Sequence, residues 1–262
     1  MIDTNVHLFQ WPFRRLSGDT PAGLVEQLKR KGVQQAWAGS FEALFCRDVA
    51  GVNARLSAAC RDEGAGFLVP FGVVNPKSPD WEEDLRRCHE DHHMPGIRLY
   101  PSYHRYSLND ADFVKLLTLA ASRKLIVQIA LSMEDPRTQI QWMMAMPADP
   151  KPLGPVVAKL PALKLVLLNG GYWAGNDDPD IVTLRRAENV FFDMAKNEGI
   201  GGLEALIAAT SPDRVVFGSF YPFFYFESAL LKVREADLTD SEKAALTEGN
   251  ARRLLGTIYP AP

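Results

Sequence analysis

Residues 2–9 read IDTNVHLF, an apolar run that begins a strand at the second residue. Asp3, Asn5 and His7 stand at alternate positions in it. Residues two apart in a strand face the same way, so all three are expected on one side. Three polar groups on one face of a core strand need a purpose. A metal site, or what is left of one, is the first chemistry they suggest.

Seven more strand-like runs follow: residues 33–40, 66–74, 96–101, 125–131, 163–168, 189–195 and 214–219. Between them lie segments whose apolar residues recur at spacings of three and four, the helical pattern. They span residues 21–32, 49–64, 80–91, 110–124, 138–146 with 153–161, 178–188, 199–212 and 226–236. Thr20-Pro21 fits an N-cap followed by proline at the first helical position, and Gly32 fits a C-cap. Strand–helix alternation repeated eight times predicts an α/β fold, a (β/α)8 TIM barrel forming one domain over residues 1–262. An extra C-terminal helix is expected over residues 239–256. A doubly wound open sheet is the alternative, and the absence of a GxGxxG turn counts against it.

The chain has 262 residues, 47% of them hydrophobic, with a formal charge of −3 and a pI near 6.0. No basic stripe points to nucleic acid, and the longest apolar runs are far short of a membrane span. With a strand expected from position 2, no leader is expected. The three cysteines, Cys46, Cys60 and Cys88, form no CxxC pair, which suits a reduced cytoplasmic compartment. In a barrel, chemistry sits where strands end and the following loops begin. His89, His92 and His93 precede the fourth strand and so belong to the opposite, structural end.

Several stretches resemble the amidohydrolase-related (amidohydrolase-2) family of metal-dependent barrel hydrolases and decarboxylases. IDTNVHLF is similar to that family's IDxHxH opening. GIRLYPSYHRYSLND resembles its fourth strand and loop, VQIALSMEDPR its fifth, LVLLNGGYW its sixth, RVVFGSFYP its eighth and GNARRLLG its closing helix. The resemblance implies metal ligands at two histidines of strand 1, one of strand 5, often one of strand 6, and an aspartate of strand 8. Those positions here hold Asn5, His7, Ala130, Asn169 and Phe220. Zinc-type sites need about three or four N, O or S ligands. Alanine and phenylalanine offer none, and neutral amide oxygens are poor partners for a transition metal. No cofactor is therefore expected, and no metal site is assigned.

The remaining polar groups suggest a metal-independent hydrolase of a small carbonyl substrate, a lactone or an ester. His7 is the expected general base, since an ordinary imidazole titrates near neutrality. Asp193, with Lys196, is a second acid–base candidate. Asn5, Arg98, Tyr100, His104, Asn169 and Tyr172 are the expected substrate-binding groups. Asp3 could orient His7, although the two Cα atoms would lie ~13 Å apart along a strand. Two alternatives stand beside this reading. One is a non-catalytic ligand-binding descendant. The other is a metal-dependent hydrolase or decarboxylase with atypical ligands, such as His104. The expected partner is a small molecule, with neither nucleic acid nor membrane. Barrels of this kind often pair, so a homodimer is a further expectation.

Overall fold

The computed structural model describes residues 1–171 and 173–256. Eight strands run parallel in sequence order: β1 (Ile2–Leu8), β2 (Gln35–Ser40), β3 (Leu68–Gly72), β4 (Gly96–Leu99), β5 (Ile126–Ala130), β6 (Lys164–Leu168), β7 (Val190–Asp193) and β8 (Val215–Val216). The ring nearly closes, through the segment that follows β8 and an isolated bridge from Tyr221 to Val6 of β1. The N–H of Thr4 donates to Phe217 O at 2.9 Å and that of His7 to Tyr221 O at 3.1 Å. Helices lie between the strands, so the fold is the expected (β/α)8 barrel in a single domain. Among the described residues, no helix is long and apolar enough to cross a membrane.

The local signals in the sequence act as expected. Thr20 Oγ1 accepts from the Gly23 N–H at 3.2 Å and starts the helix Pro21–Arg30. That helix ends at Gly32, whose φ of 82° is the left-handed conformation glycine adopts without strain. Residues 138–146 depart from expectation. They form no α-helix; two single 3-10 turns, Pro136–Thr138 and Gln141–Met143, stand there instead. Nine residues ahead of Pro147 make too short a helix to hold without packing. Trp142, Met143, Met144 and Met146 are left exposed on this loop.

Buried side chains sort into three groups that place the site. The largest fills the space between strands and helices, and includes Val6, Leu8, Ile97, Leu99, Leu165 and Leu167. A second fills the floor of the barrel. Ile2, Trp37, Phe71 and Val166 pack there against Ala251, Leu254 and Leu255 of the closing helix Asn250–Leu255. A third, rich in aromatics, plugs the mouth: Trp11, Phe41, Tyr100, Met133 and Phe220, with Ala130 among them. Between floor and mouth lies a polar layer of Asn5, Arg98, Gln128, Asn169 and Asp193, and His7 rises from it among the mouth aromatics, each at most 2% exposed.

Candidate active site

β1 does not keep strict alternation. Its register against β2 shifts between Asp3 and Val6, an irregularity of the bulge type. Asp3 is thereby engaged elsewhere than His7. Its carboxylate accepts from the Asn5 N–H at 3.1 Å, the Ser219 N–H at 3.0 Å and the Ser219 hydroxyl. The expected orienting role toward His7 gives way to one that ties β1 to the loop after β8.

Asn5, Asn169 and Asp193 converge across the barrel. The Asn5 amide donates to Asn169 Oδ1 at 2.8 Å and to Asp193 Oδ2 at 2.7 Å. The Asn169 backbone N–H donates to Asp193 Oδ1 at 2.9 Å, and its side-chain amide to Ser132 O at 2.8 Å. Asn169 reaches this position with a φ of 56°, a strained region for most residues but open to asparagine. Both N–H groups of Asn5 are used within the network. Asn5 is therefore not a free donor for a substrate carbonyl, which corrects that expectation, whereas the second N–H of Asn169 meets only Met133 Sδ at 4.0 Å. Among the described residues, the buried Asn5 Oδ1 has no partner.

Arg98 is also reassigned. Ile97 and Leu99 face the outer shell, so Arg98 points into the barrel. Its Nε donates to Gln128 Oε1 at 2.8 Å, Nη1 to Val6 O at 2.7 Å, and Nη2 to Trp37 O at 3.0 Å and Thr4 O at 3.2 Å. The remaining Nη1 hydrogen faces His7 Nε2 at 3.4 Å. Five donors are thus spent inside the protein, and none is left for a ligand carboxylate.

His7 sits at the centre of the mouth and is fully buried. Its ring stacks on Phe41 with centroids 4.9 Å apart and meets the edge of Phe220 at 5.9 Å. The Tyr100 hydroxyl lies 3.1 Å from Nε2. Burial, and then the Arg98 cation, hold the imidazole pKa well below its ordinary value. A guanidinium can only donate, so Nε2 is the acceptor and the ring proton belongs on Nδ1. Among the described residues, the buried Nδ1 has no partner. His7 is accordingly a neutral hydrogen-bond donor, a poor base at neutral pH, and its expected role changes to that extent.

The other sequence candidates scatter. Tyr100 is committed to His7, and burial pushes its hydroxyl up to about 12. His104 Nε2 donates to Ala43 O at 2.9 Å, and the residue lines a surface cleft of about 1030 Å³ beside the loops after β2, β3 and β4. Tyr172 lies outside the described residues. The small recess over the mouth, between Trp11, Phe45, Tyr103 and Met143, measures about 20 Å³, room for about one water. Sequence reasoning missed Ser132. It stands two residues beyond Ala130 and so keeps the same parity, which is the signal that could have found it. Lys196, from the end of β7, reaches it with Nζ 3.0 Å from Oγ.

The metal implied by the resemblance does not fit this donor set. Ala130 and Phe220 offer no lone pair, and the asparagine amides are turned to one another and to Asp193. His7 Nε2 is covered by a phenol and by a guanidinium that would repel a divalent cation. Among the described residues, no group of three or more His, Cys, Asp or Glu is placed to hold a metal ion.

Burial pushes the carboxyls of both Asp3 and Asp193 up to about 6, from an ordinary 3.8. Each therefore binds its proton more tightly folded than unfolded. Its stabilisation is complete below about pH 4 and is lost as pH rises through about 6. His7 has the opposite sign: the stability it contributes is present above about pH 6.5 and is lost as pH falls. Comparing wild type with Asp3→Asn cancels the His7 contribution. In urea denaturation, the stability of wild type relative to the variant should fall by about 3 kcal/mol between about pH 4 and 7. A difference that does not vary with pH would mean that Asp3 is ordinarily solvated.

The amidohydrolase family model matches residues 2–257. Among solved structures, the chain is similar to 2,6-dihydroxybenzoate decarboxylase from Rhizobium, with TM-score 0.75 and 13% identity over 97% of this chain and 98% of that one. It is equally similar to 5-carboxyvanillate decarboxylase from Sphingomonas paucimobilis, with the same score, identity and coverage. A putative amidohydrolase from Staphylococcus aureus matches with TM-score 0.71 and 12% identity over 98% and 100%. At these identities the structural likeness is one of fold. The family model spans nearly the whole sequence, and the chain belongs to the amidohydrolase family.

Proposed function

We propose that this protein hydrolyses a small carbonyl compound, a lactone or an ester, without a metal ion. The observation that carries the reading is the His7 ring: neutral, at the centre of the mouth, with Nδ1 buried and unpartnered. An unmade buried hydrogen bond costs about 1–3 kcal/mol. A polar group kept at that cost, where barrels of this type do their chemistry, supports a ligand oxygen as its missing partner. The Nδ1–H would polarise the carbonyl as a neutral electrophile, and charge developing on the oxygen would strengthen the bond. Asp193, which loses its proton near pH 6, is then the general base that takes a proton from water. Phe41, Phe220 and Tyr100 enclose the ring, so substrate entry requires these side chains and the loop above them to part.

A panel of lactones and aryl esters tests this, assayed with a strong chelator present. Turnover should persist in chelator and rise with pH through about 6 as Asp193 ionises. Asp193→Asn should lower kcat by at least about 100-fold. Loss of activity in chelator, restored by a divalent ion, would refute the reading. The enclosure of His7 favours one other reading, binding without turnover. Ligands that raise the melting temperature and are never hydrolysed would select it.

A further inference from the structure

We propose that Ser132 and Lys196 form an acyl-accepting dyad at the rim of the barrel, with Ser132 Oγ the nucleophile and Lys196 Nζ its base. The proposal rests on the reading above for its substrate class and adds a covalent step to it. Ser132 follows β5 and Lys196 follows β7, so both stand at the chemical end of the barrel. Nζ lies 3.0 Å from Oγ and 2.6 Å from Met133 O. It also sits above the Phe220 and Phe224 rings, 5.4 and 5.9 Å from their centroids. Ser132 Oγ at present donates to Asn169 O at 2.9 Å, and rotation about its Cβ–Oγ bond re-aims that hydrogen.

A neutral amine has two N–H groups and one lone pair. Met133 O takes one N–H and an aromatic face takes the other, which leaves the lone pair for the serine hydroxyl. The carboxylates of Asp135, Asp193, Glu198 and Glu134 favour the charged amine, but burial outweighs them and lowers its pKa. Buried amines of this kind serve as bases.

The balance of the step is simple. Oγ bonds to the carbonyl carbon while its proton passes to Nζ. Collapse of the tetrahedral adduct breaks the bond to the leaving oxygen, which takes that proton from Nζ. Water then attacks the acyl-serine, giving a proton to Asp193. Oγ leaves and takes that proton, relayed from Asp193 through the Lys196 amine, which restores the dyad, and the acid product departs.

Diisopropyl fluorophosphate tests the dyad without knowledge of the substrate. Oγ bonds to phosphorus, fluoride leaves, and Lys196 takes the proton. The intact protein should gain one diisopropylphosphoryl group, mapped by peptide mass to Ser132 and absent from Ser132→Ala. The labelling rate should rise with pH to a midpoint below that of an ordinary lysine. Lys196→Met and Lys196→Arg should both label at least about 100-fold more slowly. The arginine keeps a donor to Met133 O without being a base, so a purely structural lysine would tolerate it. Both variants are to be checked for folding by thermal melting. No adduct, an adduct elsewhere, or a wild-type rate in a folded Lys196→Arg protein would overturn the dyad. Ester turnover without Ser132 labelling would reject it and leave direct attack by water. Labelling at Ser132 without turnover of the panel would uphold the dyad and reject the substrate class.

Discussion

Arg98→Ala is expected to destabilise the protein by about 4 kcal/mol or more in urea denaturation. Few surface arginines would cost even a tenth of that. Arg98 is fully buried, and its guanidinium bridges β1, β2 and β5 through Val6 O, Thr4 O, Trp37 O and Gln128. Truncation removes the donor from each of these groups and leaves a void across the barrel. Each group left without a partner costs about 1–3 kcal/mol, and the void adds to this. One offset exists, because the variant no longer has to strip water from a cation. Gln128 Nε2 also continues to serve Thr4 O at 2.8 Å. Arg98→Lys should recover less than half of the loss, since one ammonium cannot span three strands. A cost below about 1 kcal/mol for Arg98→Ala would show that the guanidinium is not what joins these strands.

Phe220→Ala carries the second large effect. The ring packs on His7, on Phe223 at 5.2 Å and on Phe224 at 5.4 Å, beneath Lys196 Nζ. Truncation of a core phenylalanine costs about 3–5 kcal/mol. The backbone does not recover any of this, because alanine at a φ of 58° is as strained as phenylalanine. The same change should open space beside the unpartnered His7 Nδ1. A small neutral lactone should then raise the melting temperature of the variant more than that of wild type. Retained stability, or no gain in ligand response, would mean that the aromatic plug does not seal the site.

The barrel was legible because strand and helix periods alternate eight times, and burial enforces that pattern along the chain. The substitutions at the ends of β1, β5, β6 and β8 were legible as well, because the family resemblance marks those positions and ligand chemistry says what each replacement can bind. Their consequences depend on contacts between distant residues. Asn5 meets Asn169 and Asp193 from 164 and 188 positions away. The bulge in β1 sends Asp3 to Ser219, which simple alternation could not foresee. Arg98 looked like a ligand anchor because it lies near the end of a strand, yet its parity, opposite to that of the outward Ile97 and Leu99, places it inside. The 138–146 loop misled because its apolar residues mimic a helical face. Of these, Ile140 and Met143 line the recess with Trp11 and Phe45, and Trp142, Met144 and Met146 stay exposed.

Metal analysis of the purified protein, by plasma mass spectrometry without added ions, tests the central claim most directly. A mouth built on a neutral His7, a guanidinium against its Nε2 and a closed amide–carboxylate network should hold far less than one equivalent of any transition metal. Dialysis against chelator should leave the melting temperature unchanged. One equivalent of zinc or manganese per chain, removed by chelator with a fall in melting temperature, would contradict the account.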